Sequence, residues 1–163
     1  MVNPGIDDKN VDKKTFSDHT DVRPTMLTLL GLKDDYPHDG RALVEKLEGW
    51  AEPSAVKKSD NFITLARALK QITAPLGPLC LASLHASTVA MESGNAQDDS
   101  TYTSIENQLA SFTVQRDALV AQILPLLEAA EMDGKPIPEN VTRSLIRQAN
   151  NLLSSVQAYA DGL

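Results

Sequence analysis

Residues suited to holding a metal ion gather between positions 34 and 39: Asp34, Asp35, His38 and Asp39. His19 and Asp21 stand a short way upstream. Carboxylates and imidazoles are the usual ligands of divalent cations, but several must converge on one point, with further groups orienting each imidazole. The spacing lacks the alternating ligand pattern of a calcium-binding helix–loop–helix. A solvated turn is the plainer reading of KDDYPHDG, residues 33–40. Asp21 reads better as a helix cap, with His19 exposed beside it. Asn95, Asp98 and Asp99 form a second set, yet a loop leading into a helix favours acidic residues through the helix dipole alone.

Three further groups invite a catalytic or ligand-binding reading. Ser83, His85 and Ser87 alternate on one predicted helix, so neighbours two apart point to different faces and cannot form a nucleophile–base pair locally. Cys80, the single cysteine, has no cationic or basic neighbour to lower its thiol pKa and is expected to pack as a small apolar residue. Arg116 occupies an otherwise apolar seam. It is expected to pair across the bundle with Glu92 or with neighbours of Asp117, to snorkel outward, to set register or to contact a ligand.

Positioning these groups falls to helices. At 163 residues the chain suits one domain, or one domain plus an appendage. Aromatics are only 4%, so the core must come from Leu, Ile, Val and Ala, a palette that favours helix over sheet. Asp21 opens a short helix with Pro24 in its first turn and Gly31 at its end. A second short helix is expected at 41–50, carrying Ala42, Leu43, Leu47 and Trp50, and 51–58 reads as a linker.

From residue 59 the pattern becomes seam-like. Phe62, Leu65, Leu69, Ile72, Leu76 and Leu79 recur at spacings of three and four and continue weakly through Ser83, Ala86 and Ala90, with a kink or break predicted at 74–78 by Pro75, Gly77 and Pro78. A second seam runs Ile105, Leu109, Phe112, Arg116, Leu119, Ile123, Leu126 and Ala130, opened by a Thr103–Glu106 capping box and bent at Pro125. A third runs Val141, Leu145, Ala149, Leu152, Val156 and Tyr159. The expected fold is therefore mainly α: three long antiparallel helices packed up-down-up over 59–163, preceded at 1–58 by a leader and a short helical segment.

Charge narrows the partners. The net charge is −7. Residues 1–58 hold nine Lys or Arg against eleven Asp or Glu, and residues 59–163 hold six against eleven. Neither half offers the cationic footprint that nucleic acid or an anionic membrane surface requires. No run is predicted to insert in a membrane. MVNPGIDDKNVDKK lacks an apolar signal core, which predicts a cytoplasmic location if the chain is complete and an extracytoplasmic one if it is part of a secreted hydrolase.

Asp21-Val22-Arg23-Pro24-Thr25-Met26-Leu27, then Leu30-Gly31-Leu32, then His38-Asp39-Gly40-Arg41, resembles the C-terminal end of the alkaline phosphatase/sulfatase superfamily. There a helix of pattern TD-x-x-PT ending in Gly closes an α/β domain, and a DG-x-x-L turn often follows. The match covers roughly residues 15–48, and it implies that 1–58 is a leader followed by a short helical remnant of an α/β hydrolase-type domain. KQITAPLGPLCLASL and YTSIENQLASFTVQRDAL look like a helical extension of some bacterial phosphoesterase-like members. The resemblance implies metal-dependent phosphoric or sulfuric ester hydrolysis for a parent protein, with two divalent ions such as zinc about 4 Å apart. It implies no catalytic residue here, because the ligands and the Ser, Thr or Cys-derived nucleophile belong to loops of a parallel sheet that this sequence does not encode.

Three functions are therefore expected in turn. The first is a non-catalytic helical module for packing or partner binding, its partner a hydrolase portion or a second copy. The second is part of a metal-dependent hydrolase whose catalytic portion lies on another segment or chain. The third is a small-molecule-binding bundle with a cavity near Pro75–Pro78 facing Arg116. The module itself needs no cofactor.

Overall fold

The computed structural model of the chain describes residues 6, 13–57, 60–94 and 98–163. Most of the expected leader, the end of the linker at Lys58, and Asn95 lie outside them. Among the described residues there is no strand, only an isolated antiparallel bridge between Ile6 and Leu47. The chain is mainly helical, as its aliphatic palette predicts. Its α-helices are α1 (Val22–Leu30), α2 (Asn61–Thr73), α3 (Pro78–Ser93), α4 (Ser100–Met132) and α5 (Glu139–Asp161).

The start of α1 is built differently from expectation. Asp21 stands at the N-cap position of α1, but the side chain that caps is Asp18, which opens a single 3-10 turn over His19–Asp21 just before it. Its carboxylate accepts from Thr20 N at 2.9 Å, while Asp21 reaches back to accept from Asp18 N at 3.1 Å. This is a reciprocal capping box. Asp21 makes no side-chain cap to α1 itself. The far end follows the sequence. Gly31 has φ +64°, and Leu32 N donates to Leu27 O at 2.9 Å, closing the last turn through a left-handed residue.

The second short helix expected at 41–50 is only a 3-10 turn at Val44–Lys46. Of the four apolar residues read into it, Ala42 and Leu47 are buried, Leu43 is half-buried and Trp50 is 69% exposed, while Val44 is buried as well. Burial here is served by an irregular segment whose backbone bonds go to side chains, which a periodicity argument does not register.

The prolines act as predicted, and more strongly. Ala74–Gly77 separates α2 from α3 altogether. Pro78 becomes the first residue of α3, where its missing N–H costs little. Gly77 sits so close to the end of α2 that a Cβ would lie 3.0 Å from Gln71 O. Leu76, read as a seam residue, falls in the break and is 76% exposed. Beyond it the seam resumes as Leu79, Ala82, Ala86 and Ala90. By length and mean hydropathy, 1.2, the segment Asn61–Ser93 is the one described stretch apolar enough to cross a membrane. The break divides it into helices of 13 and 16 residues, each shorter than the roughly 20 residues a span needs. α4, in contrast, runs through Pro125 without interruption. It begins at Ser100, so Thr103 lies inside the helix rather than at its cap, and Asp98 takes the Ser100 amide at 2.8 Å instead.

The chain divides into two compact units, residues 1–67 with 122–143 and residues 68–121 with 144–163. In the first, Phe62, Leu65, Ile123, Leu127 and Ile137 are buried, and Asn61 Nδ2 ties the start of α2 to Ile137 O at 2.9 Å. In the second, Ala86, Ala90 and Ile105 form a cluster flanked by Val89, Tyr102, Leu109 and Tyr159. Phe112 meets Tyr159 edge-on, ring centroids 5.8 Å apart. Of the α5 seam, Leu145, Ala149, Leu152 and Val156 are buried, as the spacing predicts, while Val141 and Tyr159 at its two ends are half-buried.

Candidate functional site

The first unit holds the densest set of buried polar side chains, and they are largely the residues of the TD-x-x-PT…DGR pattern. Asp21 is fully buried, and its Oδ1 accepts from Arg41 N at 3.0 Å. Thr25 Oγ1 donates to Asp21 O at 2.6 Å and accepts from Leu43 N at 2.9 Å. Gly40 lies against the backbone of Thr20 and Asp21 so tightly that a Cβ would sit 2.3 Å from Thr20 O. These contacts span some twenty positions of sequence and fasten the 38–43 segment onto the start of α1.

Arg41 and two glutamates complete the cluster. The Arg41 guanidinium is buried, donates to Ala42 O at 3.3 Å and pairs with the Glu45 carboxylate. Its Nε and the second Glu45 oxygen are buried without a hydrogen bond. Glu131, reaching in from α4, accepts from Ala42 N at 2.8 Å. Burial pushes its carboxyl up to about 8, against the opposing pull of the Ala42 amide and the Arg41 charge. At neutral pH this group is therefore mostly a neutral acid. Neither Glu45 nor Glu131 was singled out by sequence. The only signal for Glu131 is its place beside the seam residue Ala130, and periodicity alone does not separate a buried neighbour from a solvated one.

The residues proposed as metal ligands are not brought together as a set. His38 is buried, with Nε2 3.3 Å from Asp34 Oδ1, and its N–H donates to Glu128 at 3.3 Å. His19, Asp35 and Asp39 are exposed. Partial burial pushes Asp34 up, but hydrogen bonds from Arg23 and Tyr36 N outweigh it and hold the carboxyl below its ordinary range. Arg23 also lies 4.7 Å over the Tyr36 ring. Beside these, Lys33 and Asp133 pair at 2.7 Å on the edge of a 110 Å³ hollow that Asp34 and Glu128 also line. Among the described residues no three His, Cys, Asp or Glu side chains are placed to share an ion.

The remaining candidates separate too. Cys80, expected to be packed, is exposed on the first turn of α3. Ser83 and Ser87 are half-buried and His85 is exposed. Arg116 turns outward and binds Asp117 through Nε at 2.9 Å and Nη2 at 2.7 Å, a pair one residue apart. The seam residues on either side of it, Phe112 and Leu119, are buried, while Arg116 is half-buried.

The second unit has an open groove of 520 Å³ between α3 and α4, lined by Ser87, Ala90 and Met91 on one side and by Tyr102, Glu106 and Ala110 among others on the opposite side. Tyr102 OH donates to Glu106 Oε1 at 2.7 Å on its wall. This groove lies well along α3 from the Pro75–Pro78 break at which a cavity was expected. Compared with family models, with curated proteins and with solved structures, the chain matches none.

Proposed function

We propose that the chain is a non-catalytic helical module that acts through packing or partner binding, related to the C-terminal end of a phosphatase/sulfatase-like hydrolase. The observation that carries this reading is the outer face of α1. Val22, Met26 and Leu30, four residues apart, form an apolar stripe that is more than half exposed. An amphipathic helix normally turns such a stripe inward. Here the face turned inward carries Pro24 and Thr28, and the groups around Asp21 bond to one another. On this reading Asp21, Thr25, Gly40 and Arg41 are architectural, and the stripe is where a hydrolase portion docks. The up-down-up arrangement expected of the long helices belongs to the same proposal. Within the second unit it is supported by the cluster that α3, α4 and α5 share.

Two measurements test it. Replacing Met26 and Leu30 together by Ser is expected to leave the melting temperature within about 2 °C, because surface changes away from packed features cost within about 0.5 kcal/mol each. A drop of 8 °C or more would mean that the stripe is covered within the chain. The isolated protein is also expected to leave chromogenic phosphodiesters and sulfate esters uncleaved with added zinc or manganese. Metal-dependent turnover abolished by His38→Asn or Asp34→Asn would overturn the non-catalytic reading in favour of a hydrolytic one.

A further inference from the structure

We infer that the groove between α3 and α4 is a docking site for a cationic amphipathic helix of a partner protein. The inference rests on the partner-binding reading above but uses a different surface, wholly within the second unit.

The first observation is the shape of the apolar surface. α3 has no continuous polar face: its Leu79, Ala82, Ala86 and Ala90 side is buried, while Leu81, Leu84 and Met91 are exposed among His85, Thr88 and Glu92. Large apolar side chains left outside in this way mark an interaction surface. Leu84, Ser87 and Met91, at spacings of three and four, lie along one side, with Leu84 and Met91 exposed. On α4, Asn107, Ala110 and Val114 repeat the same spacing, and Val114 is also exposed. Met91 and Ala110 line the groove itself. The groove, whose lining mixes these with Ser87, Asn107 and Glu106, thus adjoins exposed apolar side chains one or two turns farther along at Leu84 and Val114. At about 1.5 Å per residue each row runs for some 10 Å, which suits apolar residues of a helix at i, i+3 or i+4, and i+7. Met91 adds a flexible, polarisable side chain of the kind that adapts to such a face.

The second observation is the charge around it. From residue 71 to residue 115 the chain has no Lys or Arg, yet it carries Glu92, Asp98, Asp99 and Glu106. Glu106 lines the groove, Glu92 follows Met91, and Asp98 and Asp99 precede α4. An apolar track with acids of one sign alongside fits a ligand with Leu-type residues on one face and Lys or Arg flanking them. The same charge opposes the other occupants. Two copies meeting through this face would bring like carboxylates together, and an anionic bilayer would be repelled.

The test uses the full chain and a labelled synthetic helix with Leu at i, i+3, i+4 and i+7 and Lys on its flanks, together with a second peptide in which every Lys is Glu. The expected result is micromolar binding of the Lys peptide by fluorescence anisotropy, weakened at least about tenfold by high salt and by Glu106→Lys, with no binding of the Glu peptide. Leu84→Ser and Met91→Ser change exposed side chains, so a melt shows that each variant is folded, and each is expected to weaken binding at least about fivefold. Methyl labelling of the four methionines locates the contact: the Met91 signal should shift while Met26 and Met132 stay in place. Equal binding of the two peptides, unchanged affinity in the variants, or a shift at Met26 alone overturns the inference. So does self-association through Met91 in sedimentation, or adsorption to anionic vesicles. A null result at the groove leaves the α1 stripe to be judged by its own measurement on Met26 and Leu30.

Discussion

The two units solve the burial problem in opposite ways. In the first, ionisable and hydroxyl side chains lie inside and are tied to backbone groups, while α1 leaves an apolar stripe exposed. In the second, the interior around Ala86, Ala90 and Ile105 is aliphatic and built of small residues, and apolar surface spills over onto the outside of α3. A directional network of Asp21, Thr25, Arg41 and Glu131 admits few alternative arrangements, since each donor must meet its acceptor. An aliphatic seam tolerates repacking at similar volume. The first unit should therefore be sensitive to single polar changes and the second to volume.

The sharpest break of that comparison is Arg41→Ala. It leaves the Glu45 carboxylate buried without its cation, and removing one member of a buried pair costs about 3–5 kcal/mol. Chemical denaturation should show that loss, and a change under 1 kcal/mol would mean that the cluster is not structural. Gly40→Ala comes next, at about 2–3 kcal/mol, because its Cβ meets the Thr20 carbonyl backbone rather than a side chain that could move.

Glu131→Gln probes protonation. With the folded carboxyl raised to about 8 from an ordinary 4.5, the folded state holds a proton between those values that the unfolded chain has released. The contribution is full below about 4.5, declines through the window and is lost once pH passes about 8. The slope approaches about 1.4 kcal/mol per pH unit. Gln keeps an acceptor for Ala42 N without ionising, so its stability should be flat across that range. A wild-type profile equally flat would contradict the burial argument. The smallest effect expected is Gly31→Ala, at about 1 kcal/mol. The space around that position is open and only its φ of +64° is strained by a side chain. Measured together, the two glycines separate a crowded site from a left-handed one.

Legibility in the sequence divides along the same line. The seams of α2 and α5, the Gly31 stop and the proline break are local consequences of spacing and ring chemistry, so one sequence suffices to read them. The position of Asp21 at the head of α1 was legible, but not that its carboxylate leaves α1 uncapped, because Asp18 N and Arg41 N take it instead. The absence of helix at 41–50 has a similar origin. Ala42 N and Leu43 N give their hydrogen bonds to Glu131 and Thr25 rather than to a helical ladder. The candidate ligands near His38 scatter because alternate positions in an irregular turn share no common direction. The inward side of α3 follows the weak continuation of the seam to Ala86 and Ala90, although Ala82 is buried where Ser83 was read and Ser83 is half-buried.

Glu131 also bears on how the folded molecule behaves as an ion. The formal charge of −7 counts that side chain as anionic, whereas in the native state near neutrality it is mostly uncharged. The native protein should migrate in an electric field as though it carried about one negative charge fewer. Denaturation at pH 7 should liberate close to one proton to the buffer. Calorimetric melts in Tris and in phosphate would then differ in heat by roughly the difference between the two buffers' own ionisation enthalpies.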